Sequence, residues 1–115
     1  MLPQKNRLRK KKEIERVLKR GKKISGRFFS LYFLKSQLPF SRAAFSVSKK
    51  ISNKAFQRNK IKRWLREFFR QEFFSKERKV NLDILVIVQK NFLKNNSHSA
   101  KEEIRKILNN LNYES

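Results

Sequence analysis

Arg58, Lys62, Arg66 and Arg70 repeat at i+4 spacing and so form one row on a helix, with Asn59 and Arg63 beside it. Guanidinium and ammonium groups at that pitch are suited to pairing with phosphates. Ile61, Trp64, Leu65, Phe68 and Phe69 fall at i, i+3, i+4, i+7 and i+8, an apolar stripe adjacent to the basic row rather than opposite it. A helix carrying both keeps its cations near the edge of whatever it packs on. The commonest meaning of a basic row is a solvated face, but two features oppose that here. An ordinary exposed face mixes signs, whereas this one is almost uniformly positive and repels itself by about 0.2–0.5 kcal/mol per neighbouring pair. In addition, Lys49, Lys50, Lys54 and Arg58 crowd the N-terminal end, where the helix dipole disfavours cations and welcomes anions. Bound phosphates would offset both costs. Asn59 adds a neutral donor and acceptor that could meet a base, a 2′-hydroxyl or a neighbouring backbone group.

Side chains able to do hydrolysis are scarce. The sole Asp is Asp83, within a buried-type strand, and the sole His is His98, in a predicted loop. Glu102 and Glu103 read as capping groups of the last helix, and there is no cysteine. No catalytic residue and no protein-held metal are therefore expected.

The 115 residues hold 31 Lys plus Arg against 9 Asp plus Glu, a formal charge of +22. That charge calls for a polyanionic partner, nucleic acid above all. Hydrophobic residues reach 38%, eleven of them Phe, and only two Gly and two Pro interrupt the chain, so a packed core is available and the sequence is not a disordered basic tail. One domain over residues 1–115 is expected, with residues 1–9 as a flexible basic arm. Lack of cysteine fits a reducing, cytoplasmic setting, and neither a signal-peptide core nor a membrane-length apolar run is present.

The elements that must position the basic row follow from periodicity. A short helix over roughly 10–20 carries Ile14, Val17 and Leu18 and stops at Gly21. Residues 27–34 alternate as a strand, with Phe29, Leu31 and Phe33 on one face and Phe28, Ser30 and Tyr32 on the other. After a turn at Leu38-Pro39-Phe40, residues 42–48 read as its antiparallel hairpin partner. A long helix spans about 54–75, from whose stripe Phe73 and Phe74 fall off toward partial exposure. Leu82 to Val88 is a strand apolar on both faces, so that strand, helix and strand suggest a parallel βαβ unit. Ser99 to Glu102 matches a capping box before a final helix buried through Ile104, Ile107, Leu108 and Leu111. The order α-β-β-α-β-α, with room for a further short strand near Ile24, indicates an α+β two-layer sandwich.

Phe45-Ser-Val-Ser-Lys-Lys50 followed by Arg58-Asn-Lys-Ile-Lys-Arg-Trp-Leu-Arg66 resembles the protein component of bacterial ribonuclease P. Asn6-Arg7-Leu8-Arg9, the helix end Lys19-Arg20-Gly21 and the strand Asp83-Ile-Leu-Val-Ile-Val88 extend the resemblance over nearly the whole chain. It implies a subunit that binds a catalytic RNA and assists endonucleolytic removal of the 5′ leader from precursor tRNA. The RNA performs the chemistry, and Mg²⁺ is required by the ribonucleoprotein rather than bound by the protein alone. It further implies one protein per RNA, no membrane, and a left-handed βαβ crossover, against the usual right-handed preference.

By position, Arg58, Asn59, Lys60, Lys62, Arg63 and Arg66 would contact RNA, with Lys49, Lys50 and Lys54 nearby. The family more often has arginine at 60, so Lys60 is expected to make a plain phosphate pairing. A cleft between the first helix and the sheet would take the single-stranded leader, lined by Tyr32, Ser46, Ser48 and the helix's inward side. Ile14 and Leu18 stand there where the family often has aromatics, which points to looser apolar contact. Phe28 and Tyr32 are the candidate stacking rings, Phe28 being equally readable as core. A ribosomal protein or RNA chaperone would share the charge and size without the motif at 58–66. A membrane-surface protein would need one strongly amphipathic basic helix rather than a mixed sheet core.

Overall fold

The structure, a computed structural model, describes residues 3–76, 80–89, 92 and 97–114. Among these residues the sequence patterns become four strands, β1 (Lys22–Ser25), β2 (Phe29–Lys35), β3 (Arg42–Ser46) and β4 (Leu82–Val88), and three helices, α1 (Lys11–Arg20), α2 (Ala55–Phe69) and α3 (Ser97–Glu114). β1 is the further strand near Ile24.

The sheet runs β1-β2-β4-β3. β1 and β2 form an antiparallel pair, β2 is antiparallel to β4, and β3 lies parallel to β4 with Ala44 opposite Leu85. The parallel β3-α2-β4 unit is as expected, but the hairpin pairing expected between β2 and β3 does not form. β4 is buried along nearly its whole length, so it takes an inner position between them. β3, whose one face carries only Arg42, Ala44 and Ser46, goes to the edge.

On one face of the sheet Phe29, Leu31, Phe33, Ile84, Val86 and Val88 pack against Ile61, Leu65, Phe68 and Phe69 of α2 and Ile104, Ile107, Leu108 and Leu111 of α3. On the other, Val17 of α1 and Leu8 enclose Leu85, with Ile14, Tyr32, Leu34, Ala44 and Ile87 around them. The α+β sandwich is thus extended by a short third layer, α1 alone. Gly21 lets α1 end tight against β2: a Cβ there would sit 2.8 Å from the Phe33 carbonyl oxygen and still closer to that of Val17.

Three local expectations change. A π-helical turn, Arg70–Phe74, follows α2 directly. At about 100° per residue Phe73 would lie about 120° away from Ile61; the wider turn brings it back, and Phe73 is 1% exposed. α3 starts at Ser97, so Ser99 lies inside the helix rather than capping it. Glu103, read as part of that cap, instead receives the backbone N–H groups of Arg27, Phe28 (2.8 Å) and Phe29 (3.0 Å), fastening α3 to the start of β2. Finally, the described part of the N-terminal arm is docked rather than free. The Leu8 N–H donates to the Ala43 carbonyl at 2.9 Å, and the Asn6 amide donates to the Ser41 carbonyl at 2.7 Å. Leu8 is buried, which a free arm would not achieve.

Candidate nucleic-acid interface

α2 forms because residues 55–69 contain neither Gly nor Pro and bury Ile61, Leu65, Phe68 and Phe69. Its entry is a tight loop in which the Ser52 hydroxyl accepts the Lys54 N–H (3.2 Å) and donates to Gln57. No side chain caps the helix. Arg58 is drawn back onto this loop, its Nη1 donating to the Ser52 carbonyl at 2.9 Å. Burial then divides the expected contact residues into two sets. Arg58, Lys62 and Arg66 are half-buried along one flank, whereas Lys49, Lys50, Lys54, Asn59, Lys60 and Arg63 are exposed. Arg70, the last of the i+4 row, pairs with Glu67 and holds that carboxyl down to about 2.

The half-buried flank faces the edge of β3. There Lys62 and Arg66 meet Arg7 and Arg9 of the arm around a cavity of about 260 Å³, floored by Ile14, Ala43, Ala44 and Phe45. The basic arm and the basic row of α2, far apart in the chain, converge at this edge. Cations brought together around an apolar floor form an anion site with room for more than charge. Arg7 and Arg9 were not singled out as contacts from sequence; the signal was Leu8, one apolar residue amid cations, which marks a segment that docks.

Ile14 and Ala44 also belong to the α1 side of the sheet, so the cavity continues onto that face. Beyond α1 the face offers Tyr32, Ala44, Ile87 and Ser46, with Lys23 5.5 Å over the Tyr32 ring. Tyr32 and Ile14 are half-buried, and Ser46 and Ser48 are exposed. Leu18 is 41% exposed on the outer flank of α1. Phe28 is not in the cleft: at 4% exposure it belongs to the core on the α2 side, and its ring cannot take a base. The residue before a strand need not obey the strand's alternation, and the Glu103 anchor turns Phe28 inward.

α1 is set over the sheet by charge as well as by Val17. Asp83, fully buried, accepts Arg42 Nε (3.0 Å) and Nη2 (2.9 Å), and Arg16 of α1 stands 3.7 Å away. Arg42 Nη1 also meets Glu13 of α1. The bond to Asp83 holds the Arg42 guanidinium above its ordinary value, against the effect of burial. This network fixes one wall of the cleft. Among the described residues no group of three or more His, Cys, Asp or Glu converges, and no helix is long and apolar enough to cross a membrane.

A mixed sheet with one helix over an open cleft and a cationic helix along its edge defines a small RNA-binding α+β protein. The comparisons with known proteins make this specific. Residues 2–112 match the family model described as Ribonuclease P. A ribonuclease P protein component of Caldanaerobacter subterraneus is 35% identical over 101 residues, covering 88% of this chain and 84% of that one. The RNase P protein of Staphylococcus aureus superposes with a TM-score of 0.78 at 28% identity, over 90% of this chain and 93% of that one. That of Thermotoga maritima gives 0.75 at 31%, over 89% and 94%. The chain belongs to the ribonuclease P protein family, as a subunit of that endoribonuclease with a role in tRNA 5′ processing and RNase P RNA as its partner.

Proposed function

We propose that the cationic face of α2, with Arg7 and Arg9, holds the RNase P RNA, and that the cleft between α1 and the sheet takes the 5′ leader of precursor tRNA. The carrying observation is the convergence of Arg7, Arg9, Lys62 and Arg66 on a cavity that shares Ile14 and Ala44 with the Tyr32 side of the sheet. A strand leaving the RNA subunit at the β3 edge meets phosphate partners first, then Tyr32 as a stacking ring with Ile14, Ile87 and Ser46 around it. The protein's part is binding and orientation; hydrolysis belongs to the RNA with its Mg²⁺, in a cytoplasmic particle of one protein per RNA. Neutralising phosphates at the junction of RNA and leader lowers the Mg²⁺ needed to hold the substrate. The test is precursor-tRNA cleavage by RNase P RNA at low Mg²⁺ with and without the protein. A gain is expected, and no gain would sink the assignment.

A further inference from the structure

Phe56 is 71% exposed, against 41% for Leu18 and 38% for Leu38, the other large apolar side chains at the surface among the described residues. It is the second residue of α2. Asn59, Lys60 and Arg63 follow it at i+3, i+4 and i+7, all exposed, so the four share one helix face. This is the outer face, distinct from the half-buried flank of Arg58, Lys62 and Arg66 at the β3 edge. An isolated apolar residue at a surface is ordinary. A flat ring seated among cations on the helix of a +22 chain is more specific in what it can receive. An apolar protein groove closing over Phe56 would also have to desolvate Lys54, Lys60 and Arg63 at a cost. An unpaired nucleotide stacks its base on the ring and brings the phosphates that those cations lack. The helix does not itself ask for an aromatic here, since phenylalanine is a weaker helix former than alanine or leucine.

We propose that Phe56 is a stacking platform for an unpaired base of the RNase P RNA, with Lys60 pairing the adjacent phosphate. The proposal rests on the reading of α2 as the RNA-subunit face. It assigns the base to the RNA subunit because α2 packs on the sheet face opposite to α1 and Tyr32, where the leader is placed.

The test titrates RNase P RNA alone with the full-length protein at several salt concentrations. Phe56→Ala should weaken binding by about five- to 150-fold, the range measured for loss of one stacked base, with the slope of log K against log salt unchanged because no phosphate contact is removed. Phe56→Trp should bind within about twofold of the parent protein and lose fluorescence on binding, while Phe56→Leu, which keeps apolar area without a π-face, should recover only part of the loss. Lys60→Ala should lower the slope by roughly one. Full affinity in Phe56→Leu, or in Phe56→Ala, would overturn stacking. If Lys60→Ala still lowers the slope, α2 remains the RNA face; if neither variant changes anything, that reading falls too. A Phe56→Ala defect that shows only with precursor tRNA would overturn the assignment to the RNA subunit. Since the ring is exposed, thermal unfolding of all three Phe56 variants should match the parent protein.

Discussion

Replacing Arg42 with methionine removes both guanidinium bonds to a carboxylate that is 0% exposed while keeping an unbranched stem in the same slot. Breaking a buried pair by deleting one partner costs about 3–5 kcal/mol, because the remaining charge is left without compensation. Here Arg16 at 3.7 Å from Asp83 partly replaces the lost cation, which places the expected cost near the lower end, about 3 kcal/mol. A domain of this size has about 5–15 kcal/mol in all, and each kcal/mol is worth about 3–6 °C, so a fall of about 9–18 °C in Tm is expected. Arg42→Met combined with Asp83→Leu should recover most of it, since no buried charge then remains. Urea unfolding of the two single variants and the double variant closes the cycle. A cost below about 1 kcal/mol for Arg42→Met, or additive losses in the double variant, would refute the claim that this pair is coupled and anchors the sheet. Because Glu13 and Arg16 tie the same pair to α1, Arg42→Met should also weaken cleavage of leader-bearing substrate more than it weakens binding of the RNA subunit.

Glu103→Gln leaves one amide oxygen for the three N–H groups of Arg27, Phe28 and Phe29 and should cost about 1–3 kcal/mol in denaturant unfolding; an unchanged midpoint would show that water serves those donors equally well. Gly21→Ala would set a methyl 2.8 Å from the Phe33 carbonyl oxygen, between two backbone segments, so a loss of about 1–3 kcal/mol is expected, and a neutral result would mean that α1 can slide. Glu67 is held at about 2 by its bond to Arg70, so the pair favours the folded state above about 4.5 and this contribution fades as pH falls toward 2. Arg70→Ala should return the Glu67 titration upward in an NMR pH series, and no movement would contradict the assignment of that shift to Arg70.

Most of the elements were legible because their apolar residues recur at one clear period. The stripe from Ile61 to Phe69 and the doubly apolar run Leu82–Val88 each fix an element and the faces it buries. Strand order was not, since alternation in β3 says which residues share a face and nothing about which neighbour supplies the hydrogen bonds. A wheel drawn at constant pitch misplaces Phe73 because it cannot contain a π turn. Glu103 reads as a cap from local spacing because its partners lie 74–76 residues away, and no local spacing reports such a contact. At the site, the cations of 49–66 stood out by type and spacing, whereas their division into a flank facing β3 and an outer face depends on burial. Phe28 failed as a stacking ring for the same reason: its exposure is set by the Glu103 anchor, not by its own segment.

The placement of charge follows from what each half of the network must do. Where the protein must hold its own shape, opposite charges are matched around a buried centre, as in Asp83 with Arg42, Arg16 and Glu13 between sheet and α1. On the faces proposed to hold RNA, matching would be harmful, since each internal salt bridge would have to open before a phosphate could bind. The cations around the β3 edge and on the outer face of α2 therefore stand with few carboxylates among them, and Glu67, the one acidic residue of α2, is engaged by Arg70 at the far end. The repulsion this leaves is tolerable only because two cores and the Asp83 network hold α1, the sheet and α2 in place without help from the surface. A bound polyanion then relieves strain that the folded chain already carries, which turns a cost in the free protein into affinity in the complex.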